Sequence, residues 1–536
     1  MVQGVPRGVV RLKLLWLALL ATVAGYAHAC AIASPWDGQP VWWLQIGALS
    51  LLVATLHSAA GVKSAAFLGW LFATAWLSGS VWWLYTSMHV FGGLASELAI
   101  MAVLALCGAL GLFYALASAF FKHFGLLAMR NVAGAAIIFA ACWLFAELAR
   151  DSWFTGFPWA AGGYAHVDGP LALWADTVGV YGIGFLAALV SALLGAVLAG
   201  AFPRRWAWPG FIYGSAVSAC MVALAGGLVY VHQQYGGTVD GQTTSVALLQ
   251  GNIPQGEKFD NSKGIPLALD WYAQQLALST ATMVIASETA IPVLPQQLPE
   301  AYLQNLNNRF KSGRQAALIG VPLGGYADGY TNSAMGLKPG QVEPYRYDKH
   351  HLVPFGEFIP PAFKWFTQMM NIPLGDFNRG AVGQPSFAHA GQRWAPNICY
   401  EDLFGSELAA RFKDPASAPT VLVNMSNIGW FGNSIAIDQH LHISRMRAME
   451  LGRPMVRATN TGPTVIIDHQ GQVTHSLARY TRGVLVGQVQ GRSGITPYAA
   501  WAARFGLWPL WLFAIGILLV AFGMKRARRV VVSPAS

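Results

Sequence analysis

Eight long apolar runs constrain this chain more than any other feature. Seven lie within the first 231 residues, at roughly 13–33, 41–58, 64–86, 96–121, 131–149, 172–202 and 208–231, and an eighth runs from about 499 to 524. Each is near or above the ~18–20 residues a helix needs to cross the hydrocarbon of a bilayer. Between the seventh and eighth, residues 240–493 differ in character. Short Val-, Ile- and Leu-rich runs, Ser245–Leu249, Met283–Ala286, Ala316–Val321 and Val421–Asn424, alternate with polar stretches that read as helices at 265–280 and 436–451. Strands alternating with helices indicate an α/β domain with covered sheets. The expected fold is therefore a multi-span α-helical membrane protein with eight transmembrane helices carrying one α/β domain. A seven-helix bundle takes 1–239, the domain 240–493, and an eighth helix with a basic tail 494–536.

Composition agrees, with 54% hydrophobic and 11% charged residues where about 25% charged is usual in soluble proteins. The formal net charge of +10 sits in short clusters between the apolar runs, not in a stripe that could follow a phosphate backbone, so nucleic-acid binding is excluded. Arg7, Arg11 and Lys13, then Lys63, then Lys122 and Arg130, then Arg204 and Arg205, and finally Lys525, Arg526, Arg528 and Arg529 mark one side. The alternate loops hold Asp37, Glu97, Arg150, Asp151 and Asp168 without a basic excess. The positive-inside rule places both termini in the cytoplasm and 240–493 on the far side. The first run, ending in Ala27-His28-Ala29, also fits a cleavable secretory signal; its removal leaves the domain on the same side.

Cys30, Cys107, Cys142 and Cys220 lie inside apolar runs, where cysteine acts as a small hydrophobe. Cys399 does not. It follows a short run in Trp394-Ala-Pro-Asn-Ile-Cys-Tyr-Glu-Asp402 that reads as a strand ending in a tight turn presenting a thiol. Glu288 closes Thr282-Met-Val-Ile-Ala-Ser-Glu, and Lys349 follows Glu343-Pro-Tyr-Arg-Tyr-Asp. A carboxylate, an ammonium and a thiol can together run acyl transfer: base, charge stabiliser and nucleophile. A cation beside the thiol is expected to lower its pKa from the ~8.5 reference.

These three residues, in the order Glu288, Lys349, Cys399, resemble the Glu-Lys-Cys triad of the nitrilase superfamily. The words Gln250-Gly-Asn-Ile-Pro-Gln255, Tyr347-Asp-Lys-His-His-Leu-Val-Pro-Phe-Gly-Glu-Phe358, Asn397-Ile-Cys-Tyr-Glu401, Ser426-Asn-Ile-Gly-Trp-Phe-Gly432 and Arg445-Met-Arg-Ala-Met-Glu-Leu-Gly-Arg-Pro454 are similar to the nitrilase domain of apolipoprotein N-acyltransferases. Thr155-Gly-Phe-Pro-Trp159, Trp83-Leu-Tyr85 and Phe91-Gly-Gly93 match the membrane part. The resemblance implies an α-β-β-α sandwich on eight membrane helices, facing the periplasm from the bacterial inner membrane. It implies transfer of an acyl chain from a phospholipid, typically phosphatidylethanolamine, to the enzyme cysteine. The chain then passes to the amine of a diacylglyceryl-cysteine on an apolipoprotein. Cys399 is then nucleophile and Glu288 general base. Lys349 stabilises the oxyanion with the backbone N–H of Tyr400, and Glu357 holds the lysine. Tyr400 and Glu401 match flanking positions needed for activity. Trp430, Phe259 and Trp159 are expected at the substrate. Phe259 departs from the Trp of well-known members, so packing carries over while an indole donor does not. No cofactor or metal and no partner subunit is called for, and a monomer is expected.

Plainer readings stand beside these. His440 and His442 point to different helix faces and suit hydrogen bonding better than a metal; His350 and His351 suit loop packing. Arg445, Arg447, Glu450 and Arg453 suit a solvated or salt-bridged helix face. A membrane-tethered amidase is the alternative enzyme. A transporter is disfavoured because the runs lack the buried ionisable pairs that mark a transport path.

Overall fold

The computed structural model describes residues 7–126, 131–201, 238–239, 241–325, 328–359 and 377–532. They belong to two compact units, one drawn from Met1–Trp82, Ile100–Gln234 and Leu507–Ser536, the other from Trp83–Ala99 and Tyr235–Gly506.

The first unit is helical: α1 (Arg7–Cys30), α2 (Trp42–Ser58), α3 (Val62–Val81), most of α4 (Ser96–Phe120), α5 (Val132–Ser152), α6 (Ala175–Leu198) and the final helix Trp508–Val532. Among the described residues six segments are long and apolar enough to cross a membrane: 11–30, 62–81, 96–126, 132–155, 170–198 and 508–525. The second apolar run forms α2, whose 17 residues rise only about 25 Å. The seventh run, 208–231, lies outside the described residues. Small residues let the helices approach closely. A Cβ on Gly25 of α1 would fall 2.1 Å from the Phe72 carbonyl oxygen of α3, and one on Gly195 of α6 would fall 2.6 Å from the Ser50 carbonyl oxygen of α2.

Two expectations are corrected here. The eighth apolar run is not one span beginning near 499. Pro497–Phe505 is a separate helix, the chain turns at Gly506 (φ 56°), and the span starts at Trp508. The first part is apolar because Tyr498, Ala499, Ala502 and Ala503 fill a core of the second unit; hydropathy alone does not separate burial in protein from burial in lipid. The bundle also contains buried ionisable residues. Glu147, Arg150 and Asp151 are all buried at the end of α5. Glu147 accepts the Gly162 N–H (2.8 Å), Arg150 donates to the carbonyl oxygens of Phe157 (2.7 Å) and Trp159 (2.5 Å), and Tyr181 donates to Asp151 (2.6 Å). Glu147 and Arg150 satisfy the backbone of the loop after α5, which would otherwise bury unpaired polar groups, and Asp151 ties the same turn to α6. They lie in the last turns of a helix that runs to Ser152, so Arg150 and Asp151, which look like loop charges in the sequence, belong to it.

The second unit is a two-sheet sandwich. Its strands are β1 (Thr244–Gln250), β2 (Met283–Ala286), β3 (Ala316–Gly325), β4 (Gly329–Leu337), β5 (Tyr345–Asp348), β6 (Phe387–His389), β7 (Gln392–Ile398), β8 (Val421–Ser426), β9 (Met455–Thr459), β10 (Thr464–Ile467), β11 (Val473–Leu477) and β12 (Gly483–Val489). The sheet orders are β12-β1-β2-β3-β4-β5 and β11-β10-β9-β8-β7-β6. In each sheet the central three strands, β1-β2-β3 and β7-β8-β9, run parallel, and antiparallel strands extend both sides. Strands covered on both faces need continuous apolar sequence, which Met-Val-Ile-Ala and Val-Leu-Val supply. Val246, Leu248, Ile285, Leu318, Trp394, Val423 and Val456 meet between the sheets. Helices α7 (Gly264–Leu278) and α8 (Tyr302–Lys311) cover the outside of the first sheet. Helices α9 (Gly405–Ala409), α10 (Ala436–Leu451) and α11 (Pro497–Phe505) lie on the outside of the second. This is the expected α-β-β-α layering.

Because β5 is antiparallel to β4 and β4 to β3, β5 runs the same way as β2. Their carboxyl ends share one edge of the sheet. Gly320 of β3 sits between them, and a Cβ there would lie 2.2 Å from the Ser287 carbonyl oxygen and 2.8 Å from Glu288 Cα. Those neighbours are backbone and cannot swing aside. Gly320→Ala is expected to cost about 1–3 kcal/mol through overpacking, read as roughly 2–4 °C of melting temperature per kcal/mol. Gly256→Ala, with nothing within 4 Å of the new Cβ, is expected to leave the melt unchanged. Equal melts for the two variants would contradict this packing.

Candidate active site

Three strand ends supply the functional side chains. Glu288 follows β2, Lys349 immediately follows β5, and Cys399 immediately follows β7. The first two meet directly although β3 and β4 lie between their strands. Lys349 Nζ is 3.2 Å from Glu288 Oε1 and 2.8 Å from Glu357 Oε1, with the lysine side chain 1% exposed. Asn332 of β4 fills the gap. Its side-chain amide donates to Glu288 Oε1 (2.8 Å) and Glu357 Oε1 (2.7 Å), and its backbone carbonyl oxygen accepts the Lys349 backbone N–H (2.8 Å). The outer oxygens are also held: Glu288 Oε2 accepts the Asn427 N–H (2.8 Å) and Glu357 Oε2 the Val353 N–H (2.8 Å). Burial acts to lower the lysine pKa, but Glu288 and Glu357 outweigh it and the net shift is upward. The ammonium is a fixed positive charge.

Cys399 leaves β7 with a left-handed backbone (φ 53°) and opens a short helical turn, Cys399–Leu403. Glu401 ties this turn to the lysine segment. Its buried carboxylate accepts the Ile398 N–H (2.7 Å) and the Tyr347 hydroxyl (2.7 Å) on one oxygen, and the His350 and His351 N–H groups (2.7 and 3.3 Å) on the other. One side chain thus ties the residue before Cys399 to the two residues after Lys349. Tyr400 is buried and packs edge-on against Phe404. His351 stacks on Phe404 and pairs with Glu407, and His350 Nδ1 lies 2.7 Å from the Gly380 carbonyl oxygen, consistent with loop packing.

The expected direction of the thiol shift is reversed. Burial and then the Glu288 charge push the Cys399 thiol up to about 12, and Lys349 only partly opposes them. Cys399 is therefore held as a neutral thiol near neutral pH.

Trp430 stacks loosely on Phe259 (ring centroids 6.5 Å apart) and meets Phe91 edge-on at 5.7 Å. Phe91 comes from the 83–99 segment, whose Trp83 also contacts Phe431 (4.2 Å) and donates its indole N–H to Gln439 (3.2 Å). Trp159 belongs to the helical unit, where its side chain is buried. Among the described residues no three His, Cys, Asp or Glu side chains converge as metal ligands.

Sequence reasoning missed several residues. Lys258 is buried beside the triad, its Nζ donating to the Glu288 carbonyl oxygen (3.1 Å); burial brings it down to about 8 against the pull of Glu288 and Cys399. Asn332 lies in none of the quoted words, and Asn427, though inside Ser426–Gly432, has nothing in sequence that marks its backbone N–H as a partner of Glu288. The α10 residues Arg445, Arg447 and Glu450, and Arg453 just beyond, are not on a solvated face: all are buried. Arg447 pairs with Glu450 (3.0 Å), while Arg445 and Arg453 donate to the carbonyl oxygens of Gly471 and Pro419. The helix packs against protein on nearly every side, so helical spacing of charges did not mean solvent.

Because burial raises the thiol, alkylation of Cys399 by iodoacetamide in the substrate-free protein should climb about tenfold per pH unit from 8 to 10, whereas an ordinary thiol of pKa about 8.5 levels off above 9. Site-resolved mass spectrometry reads the rate; levelling at pH 8.5–9 would show that the cation dominates.

The sequence matches two families in register with the two units. Residues 24–193 match the apolipoprotein N-acyltransferase N-terminal domain, and residues 245–498 match the carbon-nitrogen hydrolase family. The chain is 56% identical over 508 residues to an apolipoprotein N-acyltransferase of Verminephrobacter eiseniae, covering 92% of this chain and 94% of that one. It is 42% identical over 518 residues to one of Ralstonia nicotianae, covering 96% and 95%. Among solved structures, a carbon-nitrogen hydrolase from Helicobacter pylori G27 aligns over 50% of this chain and 94% of its own, with 14% identity and a TM-score of 0.35. With relatives this similar matching from end to end, the chain belongs to the apolipoprotein N-acyltransferase family.

Proposed function

We propose that this multi-pass membrane enzyme N-acylates an apolipoprotein through a thioester on Cys399, with a phospholipid as donor. Glu288 takes the thiol proton as sulfur attacks the ester carbonyl carbon. The charge on the carbonyl oxygen is met by Lys349 and the Tyr400 N–H. The carbon–oxygen bond breaks, Glu288 returns the proton to the departing lysophospholipid oxygen, and a thioester remains. The acceptor is the neutral α-amine of a diacylglyceryl-cysteine. It attacks the thioester, Glu288 accepts its proton, the carbon–sulfur bond breaks, and the proton passes to the thiolate. The two substrates use one site in turn, which gives ping-pong kinetics.

The observation that carries this reading is the lysine ammonium clamped between Glu288 and Glu357, with the thiol within its field. A thiol that is neutral at rest fits a base that must act within the step. Trp430, Phe259 and Phe91 form an aromatic surface suited to an acyl chain, and Phe259 keeps the packing role of the family's Trp. Trp159 is a further substrate-side aromatic in this reading. Phosphatidylethanolamine is the expected donor. The alternating basic clusters support eight crossings of the inner membrane, with both termini cytoplasmic, the sandwich in the periplasm and the chain acting as a monomer.

Intact mass of the purified protein mixed with phosphatidylethanolamine, without acceptor, tests the reading. One added fatty acyl mass is expected on the wild type and none on Cys399→Ala. A diacylglyceryl-cysteine peptide should then discharge it and gain the same mass. Ammonia release from a small amide, with no acyl mass on the protein, would instead identify an amidase.

A further inference from the structure

The nucleophile sits in a backbone conformation that residues with a Cβ rarely adopt. Cys399 has φ 53°, and such a residue persists only where its surroundings over-determine it. Glu401 holds the Asn397–Ile398 peptide, one unit upstream, through the Ile398 N–H. The peptide after Cys399, which joins its carbonyl to the Tyr400 N–H, is held from α10. His440 Nε2 lies 3.1 Å from the Cys399 carbonyl oxygen, and the histidine is 1% exposed.

The ring's proton can be placed. Arg457 of β9 directs Nη2 at His440 Nδ1 (2.9 Å) and Nη1 at the His440 carbonyl oxygen (3.1 Å) and the Ser444 hydroxyl (2.7 Å). A guanidinium has no acceptor, so Nδ1 accepts, and Nε2 carries the hydrogen and donates to the Cys399 carbonyl. Ser444 in turn donates to the buried Asp402. Burial and the Arg457 charge both hold the ring neutral. It is therefore a donor of one fixed sense, two bonds deep in a buried network.

We infer that His440 is a positioning residue for the acyl-transfer step: through the Cys399 carbonyl oxygen it fixes the plane of the Cys399–Tyr400 peptide and so aims the Tyr400 N–H at the developing oxyanion. A peptide is planar, with its carbonyl and N–H pointing in opposite directions. Anchoring the oxygen on one side therefore sets the direction of the hydrogen on the other. A hydrogen bond accepted by the carbonyl also strengthens the N–H as a donor. His440 touches no reacting atom in this scheme, and it neither takes nor gives a proton. The inference rests on the thioester reading above and adds to it the group that orients one of the two oxyanion donors.

The test uses the full-length protein in detergent micelles with phosphatidylethanolamine, measuring the rate of acyl-enzyme formation by rapid quenching and intact mass over a range of lipid concentrations. Loss of one oxyanion donor lowers kcat by about 10²–10³-fold. Misaiming one in His440→Ala is expected to lower the maximal rate by roughly 10–100-fold, with the half-saturating lipid concentration changed by less than about twofold. His440→Gln keeps an acceptor for Arg457 and a donor for the Cys399 carbonyl, and should recover most of that loss. If the alanine variant does not purify folded, His440→Asn, too short to reach both partners, takes its place against His440→Gln. The inference is overturned by a maximal rate within twofold of wild type, by a change confined to half-saturation, or by equal losses in the glutamine and the shorter variant. A wild-type protein that forms no acyl-enzyme overturns the thioester reading itself, and this one with it.

Discussion

The site depends on a buried ammonium. Taking Lys349 out of water is unfavourable unless the charge is paired and hydrogen-bonded, and here two carboxylates approach it within 3.2 Å. Two carboxylates that close would repel one another. The lysine between them and the Asn332 amide donating to both make the arrangement stable. Removing any one member leaves the others with unmet charge or unmet hydrogen bonds. The cluster is thus stable only as a set, and its members are delivered by three different strands or loops whose relative positions the sandwich must fix.

That requirement accounts for the layout of the second unit. Glu288 and Lys349 lie at the same edge of one sheet because the strands carrying them run the same way, and Cys399 belongs to the other sheet. The two sheets must then be locked in register at this edge. Apolar packing between them is non-directional and cannot supply a tolerance of a few tenths of an ångström. Directional bonds do so: Glu401 links Ile398 to His350 and His351 across the sheets, and Asn427 at the end of β8 donates to Glu288 of the first sheet. Gly320, with no side chain, leaves room for the Glu288 turn.

Much of this was legible in the sequence. The Val- and Ile-rich runs became β1, β2, β3 and β8, and the polar stretch at 436–451 became α10 at the expected residues. Glu288, Lys349 and Cys399 could be singled out because each stands just past a strand end. What could not be read depended on tertiary surroundings. Residues 499–505 and 508–525 read as one apolar run, yet the first packs in protein. Arg447 and Arg453 have the spacing of exposed charges, but β-sheet and helix cover them. Lys258 sits one residue before Phe259, a position already singled out, and only the fold shows that it reaches the Glu288 backbone. The sign of the thiol shift also lay beyond the sequence, which supplies the neighbouring cation but not the depth of burial that outweighs it.

That sign bears on how such an enzyme keeps its nucleophile usable. A thiol deprotonated at rest is the form that oxidises and alkylates readily, and Cys399 is partly exposed. Holding it protonated until a carbonyl arrives limits those losses, but the proton must then be removed within the step itself. Glu288 can do this because Lys349 and Asn332 share one of its oxygens and the Asn427 N–H holds the other, so its orientation does not drift while the thiol waits. A protonated thiol and an immobilised carboxylate are therefore two consequences of the same hydrogen-bonded cluster. Reactivity is reserved for the moment when substrate completes the charge distribution that the protein has already built.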